Sequence, residues 1–246
     1  MISRYEIDWK VPDNIGFFIS TNQTGHSKGK YKSANFSFSV GDNEKNVIEN
    51  IRCLKSQLKI NDIVFMQQSH SNIILEANKS KIMQKCDAIF TRNHAISCAV
   101  LTADCIPILI TEKTGKFIGC IHAGWRGLQS GIIENFFRKH AKISKSDFKV
   151  LIGPCISSQN YEVKEDIFQN FIRYRNRFVK NNSGNYYMDI RNIAYDILTD
   201  LGISDVTISK SCTYEGKFYS YRREKITGRF ISLIWFKNDT RKIKKN

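Results

Sequence analysis

Between Ala99 and Ile121 the chain carries three apolar runs of strand length, Ala99 to Leu101, Ile106 to Thr111 and Phe117 to Ile121, with Thr114-Gly115 as a turn between the last two. At His122 the period changes. Leu128, Ile132, Ile133, Phe136 and Phe137 fall on one helical face, which predicts a helix starting near Trp125 to Gly127. The strand ends at His122 and the helix opens from a loop, a junction that commits the chain to strands and helices packed together.

The same reading extends to both sides. Val47, Ile48, Ile51, Leu54 and Leu58 recur at helical spacing after a turn at Gly41-Asp42, while Ile63 to Gln67 and Asn72 to Glu76 read as short strands flanking His70. Val150 to Ile152 predicts a strand ending at Gly153-Pro154, followed by a helix carrying Val163, Ile167, Phe168, Phe171 and Ile172. A third helix carries Ile190, Ile193, Ile197, Leu198 and Leu201, with Gly202 as its C′ stop. Val206 to Ser209, Phe218 to Tyr221 and Phe230 to Phe236 close the chain as strands. Strands and helices interleave without a strict βαβ repeat, so the predicted class is α/β of the mixed α+β kind. With three prolines, no Ser/Gly-rich linker and no internal repeat, residues 1–246 read as a single domain with a basic C-terminal tail over about 238–246.

At 246 residues the chain is long enough to bury a substantial core, and it has no run of about 18 apolar residues that would span a membrane. Its charged start, Met1 to Asp8, lacks an apolar signal segment, which predicts a cytoplasmic protein. Seven cysteines, none in a Cys-x-x-Cys pair, argue for reduced thiols over a disulfide framework. Most read as small buried hydrophobes; Cys105, beside Thr102 and Asp104, stands out as a candidate thiolate. The net charge of +15 invites a nucleic-acid reading, but the charge is spread, and the densest stretches, Arg173 to Arg177 and Arg241 to Lys245, lie in no nucleic-acid-binding motif. No nucleic acid is expected as partner, and the basic field remains available to attract anionic small molecules.

Three short motifs each offer one metal-binding donor: His70 in Gln67-Gln68-Ser69-His70, Cys105 in Thr102-Ala103-Asp104-Cys105-Ile106-Pro107, and His122 in His122-Ala123-Gly124-Trp125-Arg126-Gly127. Two imidazoles and a thiolate are the donor set of a catalytic zinc site, in which three protein ligands leave a fourth position open for water or substrate. The glycines after His122 permit close approach of a ligand, the helix that follows offers free N–H groups, and Arg126 adds a planar charged fork suited to phosphate or carboxylate. Asp104 reads either as an acceptor that orients a ligand imidazole or as a turn cap. His26, His94 and His140 read as solvated or internally satisfied, His140 as a cation complementing a helix C-terminus. Cys86-Asp87-Ala88, Gly153-Pro154-Cys155 and Cys212-Thr213 individually read as turn chemistry at strand ends.

Taken in order, these residues resemble the YfiH family, whose members are also described as polyphenol oxidases, laccase-domain proteins or purine nucleoside phosphorylases. The matching pieces are Asn35-Phe36, Val40-Gly41-Asp42, Gln68-x-His70, Cys86-Asp87-Ala88, the two central motifs around Cys105 and His122, Gly153-Pro154-x-Ile156, Tyr161-Glu162-Val163, Cys212-Thr213 and Ser220-Tyr221-Arg222-Arg223. The resemblance implies a YfiH-type fold and a zinc site made by His70, Cys105 and His122. It also implies phosphorolysis of adenosine, inosine and methylthioadenosine to free base and a ribose 1-phosphate, together with adenosine deamination. Purine nucleosides and phosphate are then the expected partners, with Arg126 orienting phosphate and Asp104 behind the metal ligands. The chain departs from the pattern in several places: Ser69 and Ser71 stand where relatives usually carry Val and Gly, and Gln159-Asn160 precede Tyr161 where they often carry small residues or Cys. Where relatives carry Thr-Arg-x-Gly-Gly-Val-Ser, it has Thr21-Asn22-Gln23-Thr24-Gly25-His26-Ser27, losing an Arg that would contact an anion or ribose.

Other chemistries use the same residues. Two His and one Cys with a weak axial Met also describe a copper site, which makes a copper-dependent polyphenol oxidoreductase the first alternative, although multicopper oxidation needs a histidine-rich cluster and the chain has five histidines. A second makes Cys105 a metal-free nucleophile with His70 or His122 as its base, in a hydrolase or amidase on cell-wall precursors. The third is a basic binding module in which the motifs are structural turns.

Overall fold

Strands Ile106–Glu112 and Ile118–Ala123 are buried along their whole length, on both faces, and for that reason they read as mainly apolar runs instead of alternating. In the computed structural model, which describes residues 1–79 and 83–237, they pair antiparallel at the centre of a six-stranded sheet. Its order is Asp205–Ile208, Phe148–Ile152, Ile106–Glu112, Ile118–Ala123, Ala88–Thr91, Ile74–Glu76, with parallel pairing at each edge and antiparallel pairing between. The basic tail expected over 238–246 lies outside the described residues.

Side chains alternate across this sheet. Leu109, Ile118, Cys120 and Leu151 face a second sheet of four strands, ordered Ile15–Ile19, Phe230–Phe236, Ile96–Thr102, Asp62–Val64, where they share a core with Val100, Phe230 and Ile234. The outer face of that second sheet is covered by helix α1 (Glu44–Leu58), whose Leu54 joins Ala99 and Leu233. On the far side, Ile108, Ile110, Ile121 and Val150 pack against helices α2 (Trp125–Gln129), α3 (Ile132–Lys139), α4 (Glu165–Asn170) and α5 (Ile190–Asp200). The result is four layers, helix, sheet, sheet, helices, of the mixed α/β class the sequence predicts. Each fully buried Ile or Phe in these layers contributes roughly 1.5–3 kcal/mol. No helix among the described residues is long and apolar enough to cross a membrane.

Helix α5 ends as its sequence predicts. Gly202 takes φ +80°, its N–H donates to Thr199 O at 2.9 Å, and Ile203 N–H donates to Leu198 O at 3.0 Å, which satisfies the last carbonyls while Ile203 and Leu198 pack together. Four expectations differ. The strand expected over Ile63 to Gln67 is two, Asp62–Val64 in the four-stranded sheet and Met66–Gln67 paired with Gln84–Lys85. The single helix from Trp125 is two, because Gly131 at φ +75° breaks the chain between α2 and α3. The helix expected over Val163 to Ile172 is confined to α4: Val163 pairs with Tyr186 in a small sheet, and Ile172–Arg177 tightens into a 3₁₀ helix, so the apolar spacing is met by three successive elements. Phe218 to Tyr221 is no strand, since the Ser220 hydroxyl accepts from Arg223 N and caps helix α6 (Tyr221–Glu224).

His140 also departs from expectation. It is buried against the rings of Phe90, Phe117 and Phe136, with centroids 4.3, 4.7 and 4.9 Å away. Burial, reinforced by Arg92, Lys139 and Lys145, lowers its pKa to about 4, so it is neutral at pH 7 and does not complement the helix dipole.

Candidate metal centre

Strand register brings the three motifs together. Pairing of Pro107 with His122 and of Ile106 with Ala123 sets Cys105, just before its strand, beside the end of the strand that carries His122. Asp104 makes the turn into that strand at φ +94°, a conformation that costs a non-glycine residue of order 1–3 kcal/mol. On the other side, Ala88 pairs with Ile121, so Asp87 lies opposite His122, and His122 N–H donates to Asp87 O at 2.7 Å. His70 arrives from a loop and also has positive φ, +60°.

Asp87 holds that loop. Its carboxylate accepts the backbone N–H of His70 at 2.9 Å and of Ser71 at 2.7 Å, the Ser71 hydroxyl at 2.7 Å, and a longer contact from Ser69 N–H at 3.2 Å. The same carboxylate lies 2.8 Å from His122 Nδ1. Burial opposes the charge on Asp87, but the hydrogen bonds from His122 and Ser71 outweigh it and hold the pKa well below the usual carboxylate range. With Nδ1 occupied by Asp87, Nε2 is the His122 nitrogen left for a ligand.

The donor atoms of His70, Cys105 and His122 all lie within 4.8 Å of one another, and Cys105 Sγ is 3.7 Å from His70 Nε2. Tetrahedral bonds of about 2.3 Å to sulfur and 2.0 Å to nitrogen would separate such a pair by about 3.5 Å, so the Cys105–His70 spacing fits zinc. Burial alone would raise the Cys105 pKa; His122 and His70 reverse this and lower it to about 6, which favours the thiolate a metal needs. Burial would likewise lower the His122 pKa, and the Cys105 and Asp87 charges raise it instead. Gly124 makes room: a Cβ there would meet His70 Cδ2 at 2.6 Å and Cys105 Sγ at 3.0 Å.

The triad lines a cleft of about 1180 Å³, with Phe38, Trp125 and Tyr161 on its walls. Arg126 lines it too, exposed, with its guanidinium 4.3 Å from the Trp125 ring. Asp104 also reaches the cleft, but its carboxylate accepts Thr213 Oγ1 and Arg222 N–H, both at 2.6 Å. It therefore ties the Cys105 loop to the first turn of α6, and the imidazole-orienting contact expected of it is made by Asp87. An acid heading an apolar strand, Asp87-Ala88-Ile89-Phe90, was the signal for this in the sequence. Among the described residues no other group of three His, Cys, Asp or Glu donors converges in this way. His26 Nε2 contacts Cys53 Sγ at 3.3 Å, and His94 stacks on Phe236 with centroids 4.1 Å apart. Asn22 lies outside the residues that line the cleft; its backbone bonds Lys217 O and Ser33 N.

Known proteins share both sequence and fold. A family model described as multi-copper polyphenol oxidoreductase laccase matches residues 16–237. The chain is 33% identical over 238 residues to a Haemophilus influenzae protein named purine nucleoside phosphorylase, covering 93% of this chain and 97% of the relative. It is 30% identical over 235 residues to the Escherichia coli protein named purine nucleoside phosphorylase YfiH, covering 92% and 96%. Among solved structures, a Neisseria meningitidis protein of family DUF152 superposes with a TM-score of 0.89 at 32% identity, covering 94% of this chain and 98% of that one. YlmD from Geobacillus stearothermophilus superposes at 0.87 with 25% identity, covering 96% and 99%. A match over nearly the whole chain, in sequence and in fold, means that the protein belongs to the YfiH family.

Proposed function

We propose that the protein is a zinc-dependent purine nucleoside phosphorylase acting on adenosine, inosine and methylthioadenosine, with adenosine deamination as a second activity of the same cleft. The observation that carries this reading is the convergence of His70, Cys105 and His122 in a cleft whose volume, about 1180 Å³, leaves room for two co-substrates. The names of the relatives add weight to phosphorolysis. Seven free cysteines fit a reducing cytoplasm.

In phosphorolysis an oxygen of hydrogen phosphate bonds to C1′ of the ribose while the C1′–N9 bond breaks. The bonding pair leaves with the purine, which takes the proton that the phosphate carried, so ribose 1-phosphate and free base account for every atom. Deamination balances as adenosine and water giving inosine and ammonia. His70, Cys105 and His122 would hold the zinc, which when bound supplies Lewis-acid polarisation of an oxygen ligand. Asp87 fixes the His122 ring and the His70 backbone before substrate arrives, so the donors need little reorganisation. Trp125 and Tyr161 offer flat apolar walls for a base. Arg126, exposed beside the cleft, supplies positive charge that steers phosphate toward it.

A copper-dependent phenol oxidation is less well supported, because a multicopper cluster needs several ligand groups and one converging group is found among the described residues. The 3.7 Å contact between Cys105 Sγ and His70 Nε2 suits a nucleophile and its base as well, which keeps the hydrolase reading testable. Metal analysis together with phosphate-dependent release of adenine from adenosine tests all three. Phosphorolysis abolished by a chelator and restored by zinc supports the proposal; chelator-resistant hydrolysis or copper-dependent phenol oxidation sinks it.

A further inference from the structure

Arg229 immediately precedes strand Phe230–Phe236, and the pairing of Phe230 with Thr102 carries it alongside Ala103, two residues from Cys105. Its backbone N–H donates to Asn35 Oδ1 at 2.9 Å. One terminal guanidinium nitrogen donates to the carbonyls of Thr227 and Gly228, each at 3.0 Å. These anchors are rigid: Asn35 is fully buried, and a Cβ on Gly228 would come within 2.7 Å of Tyr219 and 2.9 Å of Asn35. The guanidinium is thus held part-buried in the cleft wall with one side of its fork fixed. Its Nε and second terminal nitrogen bond no acceptor, and it forms no ion pair, among the described residues.

Arg126, the exposed arginine of the cleft, makes no side-chain hydrogen bond among the described residues and stacks on Trp125, while the other part-buried arginines of this region are engaged elsewhere. Arg223 donates to the carbonyls of Thr213, Tyr214 and Phe218 and to Glu224. Arg222 donates to Glu162 O at 2.8 Å and lies 5.0 Å over the Tyr161 ring. Arg191 donates to Cys155 O and Ser211 O. A part-buried cation without an ion-pair partner is costly, and the carboxylate and thiol whose field reaches Arg229 are already committed. Asp104 accepts two hydrogen bonds, and Cys105 belongs to the metal triad. The open half of the fork is the geometry that recognises two oxygens of one phosphate.

We infer that Arg229 is the phosphate-binding residue of the cleft, receiving inorganic phosphate on the free side of its guanidinium. The inference rests on the phosphorolysis proposed above and adds the residue that holds the co-substrate. Arg126, exposed and stacked on Trp125, then attracts phosphate without fixing it.

Calorimetric titration of inorganic phosphate into the zinc-loaded wild type, Arg229→Gln, Arg229→Lys and Arg126→Gln tests this, with phosphate and adenosine KM measured in parallel. In Arg229→Gln both the phosphate Kd and the phosphate KM are expected to rise by about 10-fold to 100-fold, the range of a lost charge-assisted hydrogen bond. Adenosine KM and zinc content stay near wild type, Arg229→Lys recovers part of the loss, and Arg126→Gln shifts phosphate affinity by less than about threefold. Wild-type phosphate affinity in Arg229→Gln overturns the inference, as does wild-type protein that shows no saturable phosphate binding. Should Arg229→Gln fail to fold, a folded Arg229→Lys with unchanged phosphate affinity also overturns it, because Lys keeps the charge and loses the fork. Phosphate binding that depends on Arg229 in an enzyme that cleaves no purine nucleoside upholds the anion site and rejects phosphorolysis alone.

Discussion

Asp87 Oδ1 lies 2.8 Å from His122 Nδ1 while the same carboxylate accepts the backbone N–H of His70, so one buried acid positions two of the three candidate metal ligands. Replacing it with Asn keeps the size and removes the charge and one acceptor. Asp87→Asn is expected to weaken zinc binding by about 10-fold to 100-fold. Competition with a chromogenic chelator reads this directly, and zinc affinity equal to wild type would show that Asp87 serves only the loop.

Gly124 sets a steric limit on the same centre. A methyl group at this position would meet His70 Cδ2 at 2.6 Å and Cys105 Sγ at 3.0 Å, yet Gly124 has φ −79°, a conformation any residue adopts. Gly124→Ala is therefore expected to lose most of its bound zinc while thermal unfolding in the metal-free state stays within about 1 kcal/mol of wild type. Full zinc occupancy in that variant would contradict the packing described for the triad.

His140 makes stability sensitive to acid. Its folded pKa of about 4 lies below its unfolded value, so between pH 6.5 and about 4 the unfolded chain takes up a proton that the folded chain refuses. The stability contributed by neutral His140 is complete above pH 6.5 and is lost as pH falls through this window, by up to about 3 kcal/mol. His140 Nε2 has no hydrogen-bond partner among the described residues, so His140→Phe removes a buried polar atom and is expected to flatten the acid limb of a denaturation series. An unchanged slope between pH 4 and 6.5 would assign the acid sensitivity to other groups.

Much of this was legible in the chain. The strands around Ile106–Glu112 and Ile118–Ala123 announced themselves because burial on both faces makes them mainly apolar, and the change of period after His122 marked where the sheet gives way to helix. His70, Cys105 and His122 stood out together, as two imidazoles and a thiolate in three motifs that resemble those of the YfiH family. What was hidden depends on partners distant in sequence. Asp104 caps a helix 118 residues away, and nothing near it distinguishes that from orienting an imidazole. Arg229 looks like any charged residue ahead of a strand until its register with the Cys105 loop is known. The break at Gly131 and the strand at Val163 escaped because apolar spacing tolerates both a continuous helix and a broken one.

Cys105 joins the metal centre to the proposed chemistry, and its thiol pKa of about 6 makes that link dependent on pH. Because the thiolate forms as pH rises through about 6, while His122, its pKa raised to about 9 by Cys105 and Asp87, must still release a proton, zinc affinity is expected to climb from pH 5 to 8, most steeply below about 6. Metal titrations from pH 5 to 8 read this, and a flat profile would remove Cys105 from the donor set.

The most direct test of the whole account is a paired measurement on purified wild-type protein and Cys105→Ala: zinc per chain, and phosphate-dependent release of adenine from adenosine. The account predicts about one zinc per chain and phosphorolysis in the wild type, with both lost together in the variant. Undiminished phosphate-dependent adenine release from zinc-free Cys105→Ala would contradict it.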